Sequence, residues 1–199
     1  DILLREIHHR VKNNLQMISA LLYLHGKSLD DTPAQAALME SQNRVQSMAI
    51  IHQNLYQQEN LLGVGVQEYL DKLIHHLIDS YNIEKDRIEI YKRIEIEHLD
   101  VDTVIPLALI INELISNALK YAFRDGREGV IHVNIEMVNG LIQLEVKDNG
   151  IGFPETHADG GNFGFKLIHI LSERLGATLN INSDHGTSVT LLVPQIKAA

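Results

Sequence analysis

Leu141-Ile142-Gln143-Leu144-Glu145-Val146-Lys147-Asp148-Asn149-Gly150-Ile151-Gly152-Phe153 is the stretch on which the fold turns. From Ile142 to Lys147 apolar and polar residues alternate, the period of a half-buried strand. The strand runs into a turn-forming Asp-Asn-Gly, and Gly150 and Gly152 let the backbone approach a ligand closely. Just upstream, Asn139-Gly140 separates it from a second strand over 130–137, a strong two-residue hairpin signal. Further back, 102–123 reads as a long, mostly buried helix. Pro106 either kinks this helix or sits near its first turn. Before it come a strand over 87–96 and a helix over 66–80. Downstream, 164–175 is helical, and strands over 178–182 and 188–193 flank a turn at Asp184-His185-Gly186. With hairpins late and few βαβ units, the pattern predicts α+β layers: helices on one face of a mixed sheet.

The first sixty residues have a different rhythm. Leu4, Ile7, Val11, Leu15, Ile18 and Leu22 fall three or four apart, forming one apolar stripe on a long helix. Gly26 and Ser28-Leu29-Asp30-Asp31-Thr32-Pro33 end that helix. A second stripe passes through Leu38, Val45, Met48, His52 and Leu55. The result is an antiparallel helical hairpin, with apolar surface left over for pairing with another. Leu62-Gly63-Val64-Gly65-Val66 reads as a hinged junction between 1–62 and 63–199.

The 199 residues carry a net charge of −9, against a nucleic-acid role. Aromatic content is 5% without Trp, so the core is aliphatic. The absence of cysteine excludes disulfides, thiol catalysis and thiolate metal sites, and it fits a reducing compartment. No uninterrupted apolar run reaches the roughly 18 residues of a membrane span. Without a visible signal peptide either, a cytoplasmic chain without membrane contact is expected. Asp1-Ile2-Leu3-Leu4 opens in mid-rhythm, which predicts further sequence upstream.

Candidate chemistry lies at both ends of this layout. On a helix, His9 projects roughly 155° from the centre of the first stripe and His8 roughly 55°. His9 is therefore the better placed for an exposed, neutral, nucleophilic imidazole. In Asn112-Glu113-Leu114-Ile115-Ser116-Asn117-Ala118-Leu119-Lys120-Tyr121, Glu113 and Asn117 share a helix face, with Lys120 beside them. A carboxylate, an amide and an ammonium on one strip suit a hydrated magnesium triphosphate. Asp148 can accept a hydrogen bond from an adenine amino group. Gly160-Gly161-Asn162-Phe163-Gly164-Phe165-Lys166-Leu167 runs a glycine-rich stretch into a helix, whose N-terminal N–H groups attract phosphate. Gly186-Thr187 opens the last strand. Each piece alone also suits an ordinary polar face or turn; their order is what distinguishes them.

That ordered set resembles the nucleotide-binding fold shared by histidine kinases, DNA gyrase, heat-shock chaperone ATPases and mismatch-repair ATPases, over roughly residues 64 to 195. The resemblance implies that Asn117 holds Mg²⁺, Asp148 reads adenine, and residues 154–163 form a short lid over the phosphates of ATP. Gly150, Gly152, Gly161, Gly164 and Thr187 then line or flex the pocket, with Lys120, Tyr121, Phe153 and Phe165 beside them. The stretch EIHHRVKNNLQ (6–16) resembles the phosphoacceptor box of the HWE-related histidine kinases, in which the histidine before Arg is the acceptor. That maps to His9. Two departures stand out. Phenylalanines flank Gly164 where leucine is usual. Glu113 replaces a common Asn, and its role is taken as orienting or deprotonating His9. The implied activity is autophosphorylation at His9 and transfer to an aspartate of a response-regulator receiver domain, by a homodimer joined through the hairpin. The alternatives are a degenerate ATP-binding scaffold, or an ATPase or Ser/Thr kinase on the same fold.

Overall fold

The computed structural model describes residues 2–55, 64–81, 87–123, 126–152 and 163–195; the side chains of 2–9, 51–55 and 64 are not described. Helices α1 (Ile2–Lys27) and α2 (Thr32–Leu55) form the expected hairpin. Its turn is closed by Ser28 N–H donating to the His25 carbonyl at 3.1 Å. Pro33 sits in the first turn of α2, where its missing N–H costs nothing.

The seam between the two helices is narrower than the stripe drawn from sequence. Ser19 is buried at 6%, while Ile18 is 45% exposed together with Met17, Leu21 and Leu24. Gly26 continues the seam: a Cβ there would lie 3.8 Å from that of Leu38. One partner helix covers only part of a wide apolar face, so Ile18 lies outside the seam.

The second part contains β1 (Val64–Gly65), α3 (Val66–Ser80), β2 (Ile88–Ile94), β3 (His98–Leu99) and α4 (Val101–Asn117). A π-helical turn (Ala118–Ala122), β4 (Gly129–Val138), β5 (Leu141–Asp148), α5 (Phe163–Arg174), β6 (Thr178–Asn182) and β7 (Ser188–Pro194) follow. Five strands form one sheet in the order β2-β4-β5-β7-β6. β2 and β4 are parallel and the other pairs antiparallel. Asn139 and Gly140, at φ 52° and 79°, make the tight turn between β4 and β5. The α+β expectation holds, and each expected strand and helix is present with its ends moved by one or two residues, except that α4 gives way to the π turn after Asn117.

Alternate residues of β4, β5 and β7 are buried, among them Ile131, Val133, Ile142, Leu144, Val189 and Leu191. They pack against Leu70, Leu73 and Leu77 of α3 and Ile110, Ile111 and Ile115 of α4 in one aliphatic core. The sequence from Val101 to Ala122 is long and apolar enough to cross a membrane, yet 78% of its apolar window lies inside the protein. It is the central core helix. Asp100 caps it, accepting from Thr103 N at 2.8 Å and Thr103 Oγ1 at 2.7 Å. Pro106 therefore falls just past the first turn of the helix.

The supposed hinge is partly tied down. Val64 pairs with Leu99 and Gly65 with His98, while Val66 N–H bonds to the Glu97 carbonyl at 3.0 Å. Gly63 lies outside the described residues.

Tyr69, 2% exposed, has no hydrogen-bond partner for its hydroxyl among the described residues. Burial pushes its ionisation well above the ordinary tyrosine value. An unpaired buried hydroxyl opposes folding by about 1 kcal/mol or more. Tyr69→Phe should therefore hold or raise the urea midpoint; a clear loss would reveal a partner for the hydroxyl.

Candidate functional site

Asp148 ends β5 at 6% exposure. Its Oδ1 accepts from the Gly150 N–H at 2.8 Å and the Thr187 N–H at 3.2 Å, and the Thr187 side chain adds a donor. The Asp148 N–H in turn reaches the Thr187 carbonyl at 2.8 Å. Burial raises the Asp148 carboxyl above its ordinary value, and the donors from Gly150 and Thr187 restrain that rise. The carboxylate is thus fixed in direction and only partly desolvated, as an acceptor for an amino group should be.

Two positions of the loop that follows leave no room for a side chain. A Cβ on Gly150 would lie 2.4 Å from that of Ala122, and Gly152, at φ 69°, meets Ser183 at 2.8 Å. Ile151 N–H also donates to the Ala122 carbonyl at 3.1 Å. The Asp-Asn-Gly loop therefore grips the end of the central helix, where the backbone widens into the π turn. Such turns cluster at functional sites. Lys120 and Tyr121 both lie in this turn, and Tyr121 is 42% exposed.

On α4, Glu113 and Asn117 face the start of α5. A Cβ on Gly164 would lie 2.9 Å from Glu113 Oε2, 3.7 Å from Asn117 Nδ2 and 3.8 Å from Arg44 Nη2. The Asn117 amide nitrogen is buried with no partner among the described residues. Turning the amide by 180° puts its oxygen there instead. An amide oxygen in that position suits a hydrated Mg²⁺, which takes oxygen ligands and keeps several waters. Among the described residues no three His, Asp or Glu side chains cluster as a metal cage.

The hairpin also reaches this place. Arg44 of α2 forms a bidentate pair with Glu113, Nε to Oε1 at 2.6 Å and Nη2 to Oε2 at 2.7 Å. The two side chains are 11% and 3% exposed. Arg44 also contacts Glu40 and lies 4.7 Å from the centre of the Phe163 ring. Glu40 in turn meets Lys120 Nζ at 2.8 Å. Ser47 Oγ donates to Asn112 Oδ1 at 2.7 Å, completing a polar seam between α2 and α4. Burial works to raise the Glu40 carboxyl, but Lys120 and Arg44 outweigh it and hold it below its usual value. Burial works to lower the Lys120 ammonium, but Glu40, Tyr81 and Tyr121 together outweigh it and hold the group above its usual value.

Glu113, Asn117, Gly164 and Lys120 are thus assembled around one end of α4, and Asp148, Gly150, Gly152 and Thr187 around the other side of the π turn. Phe165 joins the hydrophobic core at 8% exposure, backing the site from within. His9 lies in α1, but its side chain is not described, and Phe153 and Gly161 lie outside the described residues. The sequence reading passed over Glu40, Arg44 and Ser47. Their four-residue and three-residue spacing puts them on one face of α2, but on a charged surface helix that pattern is too common to single out.

Residues 6–81 match a family model described as histidine kinase. Residues 102–197 match one described as histidine kinase-, DNA gyrase B- and HSP90-like ATPase. Sensor histidine kinase PdtaS of Mycobacterium tuberculosis is 32% identical over 98% of this chain and 40% of its own length. Blue-light-activated histidine kinase 2 of Erythrobacter litoralis is 28% identical over 98% of this chain and 57% of its own. The chain therefore spans about half the length of these relatives. In fold it resembles the histidine kinase domain of a blue-light activated kinase from Erythrobacter litoralis, with a TM-score of 0.71 over 96% of this chain and 90% of that one at 24% identity. The first family match contains His9 and the hairpin, the second contains the whole site from Glu113 to Thr187, and they follow one another in one chain: it belongs to the histidine kinases.

Proposed function

We propose that this chain is a sensor kinase core that autophosphorylates His9 with ATP and passes the phosphoryl group to an aspartate on a response-regulator receiver domain. The observation that carries the reading is the contact between the hairpin and the nucleotide site. The helix paired with the one bearing His9 reaches Glu113 directly through Arg44. Asp148 accepts from the adenine amino group, Lys120 meets the phosphates, and Asn117 supplies an oxygen to Mg²⁺. The metal spreads the charge of the triphosphate when bound.

In the reaction a neutral imidazole nitrogen of His9 forms a bond to the γ-phosphorus while the bond to the β,γ-bridging oxygen breaks. ADP leaves and the imidazole gives up its proton. Glu113 orients or deprotonates His9 once Arg44 releases its carboxylate. Catalysis rests on positioning and charge neutralisation. The exposed row of Met17, Ile18, Leu21 and Leu24 on α1 is an uncovered apolar face that suits a second hairpin, so the working form is a homodimer. A cytoplasmic site of action suits the cysteine-free composition.

The test is incubation with γ-labelled ATP and Mg²⁺, wild type beside His9→Gln. Label that is lost in acid, survives alkali and is absent from a variant that still binds ATP is the expected result. Normal labelling of His9→Gln removes His9 from the reaction. Acid-stable label means a Ser/Thr kinase, and ATP binding without label means a scaffold.

A further inference from the structure

Four charged side chains tie the hairpin to the nucleotide site, and two of them are groups assigned to the reaction. Lys120, the cation assigned to phosphate, is held by the Glu40 carboxylate at 2.8 Å. Glu113 is held at both oxygens by Arg44. Glu40 and Arg44 stand one turn apart on α2 and touch each other, so they move as a unit.

We propose that Glu40 and Arg44 form an autoinhibitory clamp, in which the Glu40 carboxylate stands where a phosphate oxygen of ATP binds Lys120, so that nucleotide entry and release of the hairpin are one event. This rests on the reading of Lys120 as a phosphate ligand. A phosphate oxygen at Lys120 Nζ competes with Glu40 for the same ammonium, and two anions gathered there in a half-buried site repel each other. Glu40 must leave for the triphosphate to settle. With it goes Arg44, which frees Glu113 and uncovers Phe163, the first residue of α5, over which its guanidinium lies.

The seam itself is suited to opening. Its buried residues between α2 and α4 include Asn43, Ser47, Asn112 and Glu113, polar groups that water can satisfy once the helices part. The sheet-facing side of α4 is aliphatic throughout and stays closed. Met48 and Ile50 of α2 add partly buried apolar contacts to the core, so the seam mixes polar and apolar groups, and a mixed contact between domains leaves them able to move. While the clamp is shut, Glu113 is neutralised by Arg44 and unavailable to His9, so the resting kinase is silent at the same point where it is empty.

The test uses the full chain and a non-hydrolysable ATP analogue with Mg²⁺. Glu40→Gln and the double variant Glu40→Gln/Arg44→Gln should bind the analogue about fivefold or more tightly than wild type, the lower end of typical coupling between sites. Because the chain has no cysteine, Met39→Cys on α2 and Ile170→Cys on α5, exposed at 53% and 62%, accept a spin-label pair. Labelled chain diluted with unlabelled chain should give one short distance without nucleotide. That distance should lengthen or broaden on adding the analogue, and in the double variant without it. Glu40→Gln alone leaves the Arg44–Glu113 pair intact and guards against misfolding of the double variant. Unchanged affinity in Glu40→Gln, or a label distance insensitive to the double substitution, overturns the clamp. Failure of every protein, wild type included, to bind the analogue refutes the nucleotide reading instead, and the nucleotide-free distances still decide whether the clamp holds the hairpin.

Discussion

Gly186→Ala is expected to lower folding stability by about 3–5 kcal/mol, near the top of the range for a single substitution. Gly186 adopts φ 117°, a region that L side chains rarely enter. A Cβ there would stand 2.1 Å from the Asp148 carbonyl oxygen and 3.1 Å from the Asn149 Cα. Both obstacles are backbone, so no side chain can rotate away. Relief requires β7 to separate from the Asp148 loop. That breaks the 2.8 Å bond from Asp148 N–H to the Thr187 carbonyl and releases the Thr187 N–H from the carboxylate. Nucleotide binding should fall with it. Gly140→Ala is the control: φ is 79° but nothing lies within 4 Å, so the cost should stay near 1 kcal/mol. Equal urea midpoints for the two variants would show that β7 does not depend on this close approach.

The second large effect is expected at Asp148. Replacing it with alanine removes the acceptor proposed for adenine and leaves the Gly150 and Thr187 N–H groups without their carboxylate. Loss of a charge-assisted hydrogen bond costs about 1.5–3 kcal/mol, so ATP affinity should fall at least about tenfold, measured by calorimetry. Unchanged affinity would remove Asp148 from the nucleotide site.

The pH dependence has a definite sign. Burial raises this carboxyl in the folded protein above its ordinary 3.8. The ionised acceptor is lost as pH falls through that raised value, so affinity should begin to drop at a higher pH than a free aspartate would dictate. For stability the direction reverses. The protonated form favours the folded state, so this contribution is present below the unfolded value and lost as pH rises through the folded one. In Asp148→Asn, which cannot titrate, the acid limb of nucleotide binding should flatten.

Local periodicity was enough to read most of the elements. The alternation in β5, the Asn139-Gly140 turn and the three-and-four spacing in α1 are written within a few residues of each other, so the chain carries them without reference to its fold. The candidate groups Glu113, Asn117, Lys120, Asp148 and Thr187 were likewise legible, because each lies in a short run whose neighbours mark it as a helix face, a turn or a strand end. Other features depend on what a residue meets across space. Ile18 reads as buried by its spacing and is exposed because one partner helix covers too little. Pro106 falls just past the first turn because Asp100 found Thr103 to cap. The π turn ends at Ala122, where the loop at Gly150 and Ile151 meets it across space. Above all, Arg44 lies 69 residues from Glu113 in sequence, and nothing local to α2 distinguishes it from any solvated arginine. The sequence by itself determined the elements and the chemical groups of the site. Tertiary structure alone decided which charges pair, because a pairing energy depends on distance and burial, and neither exists until the hairpin rests on α4.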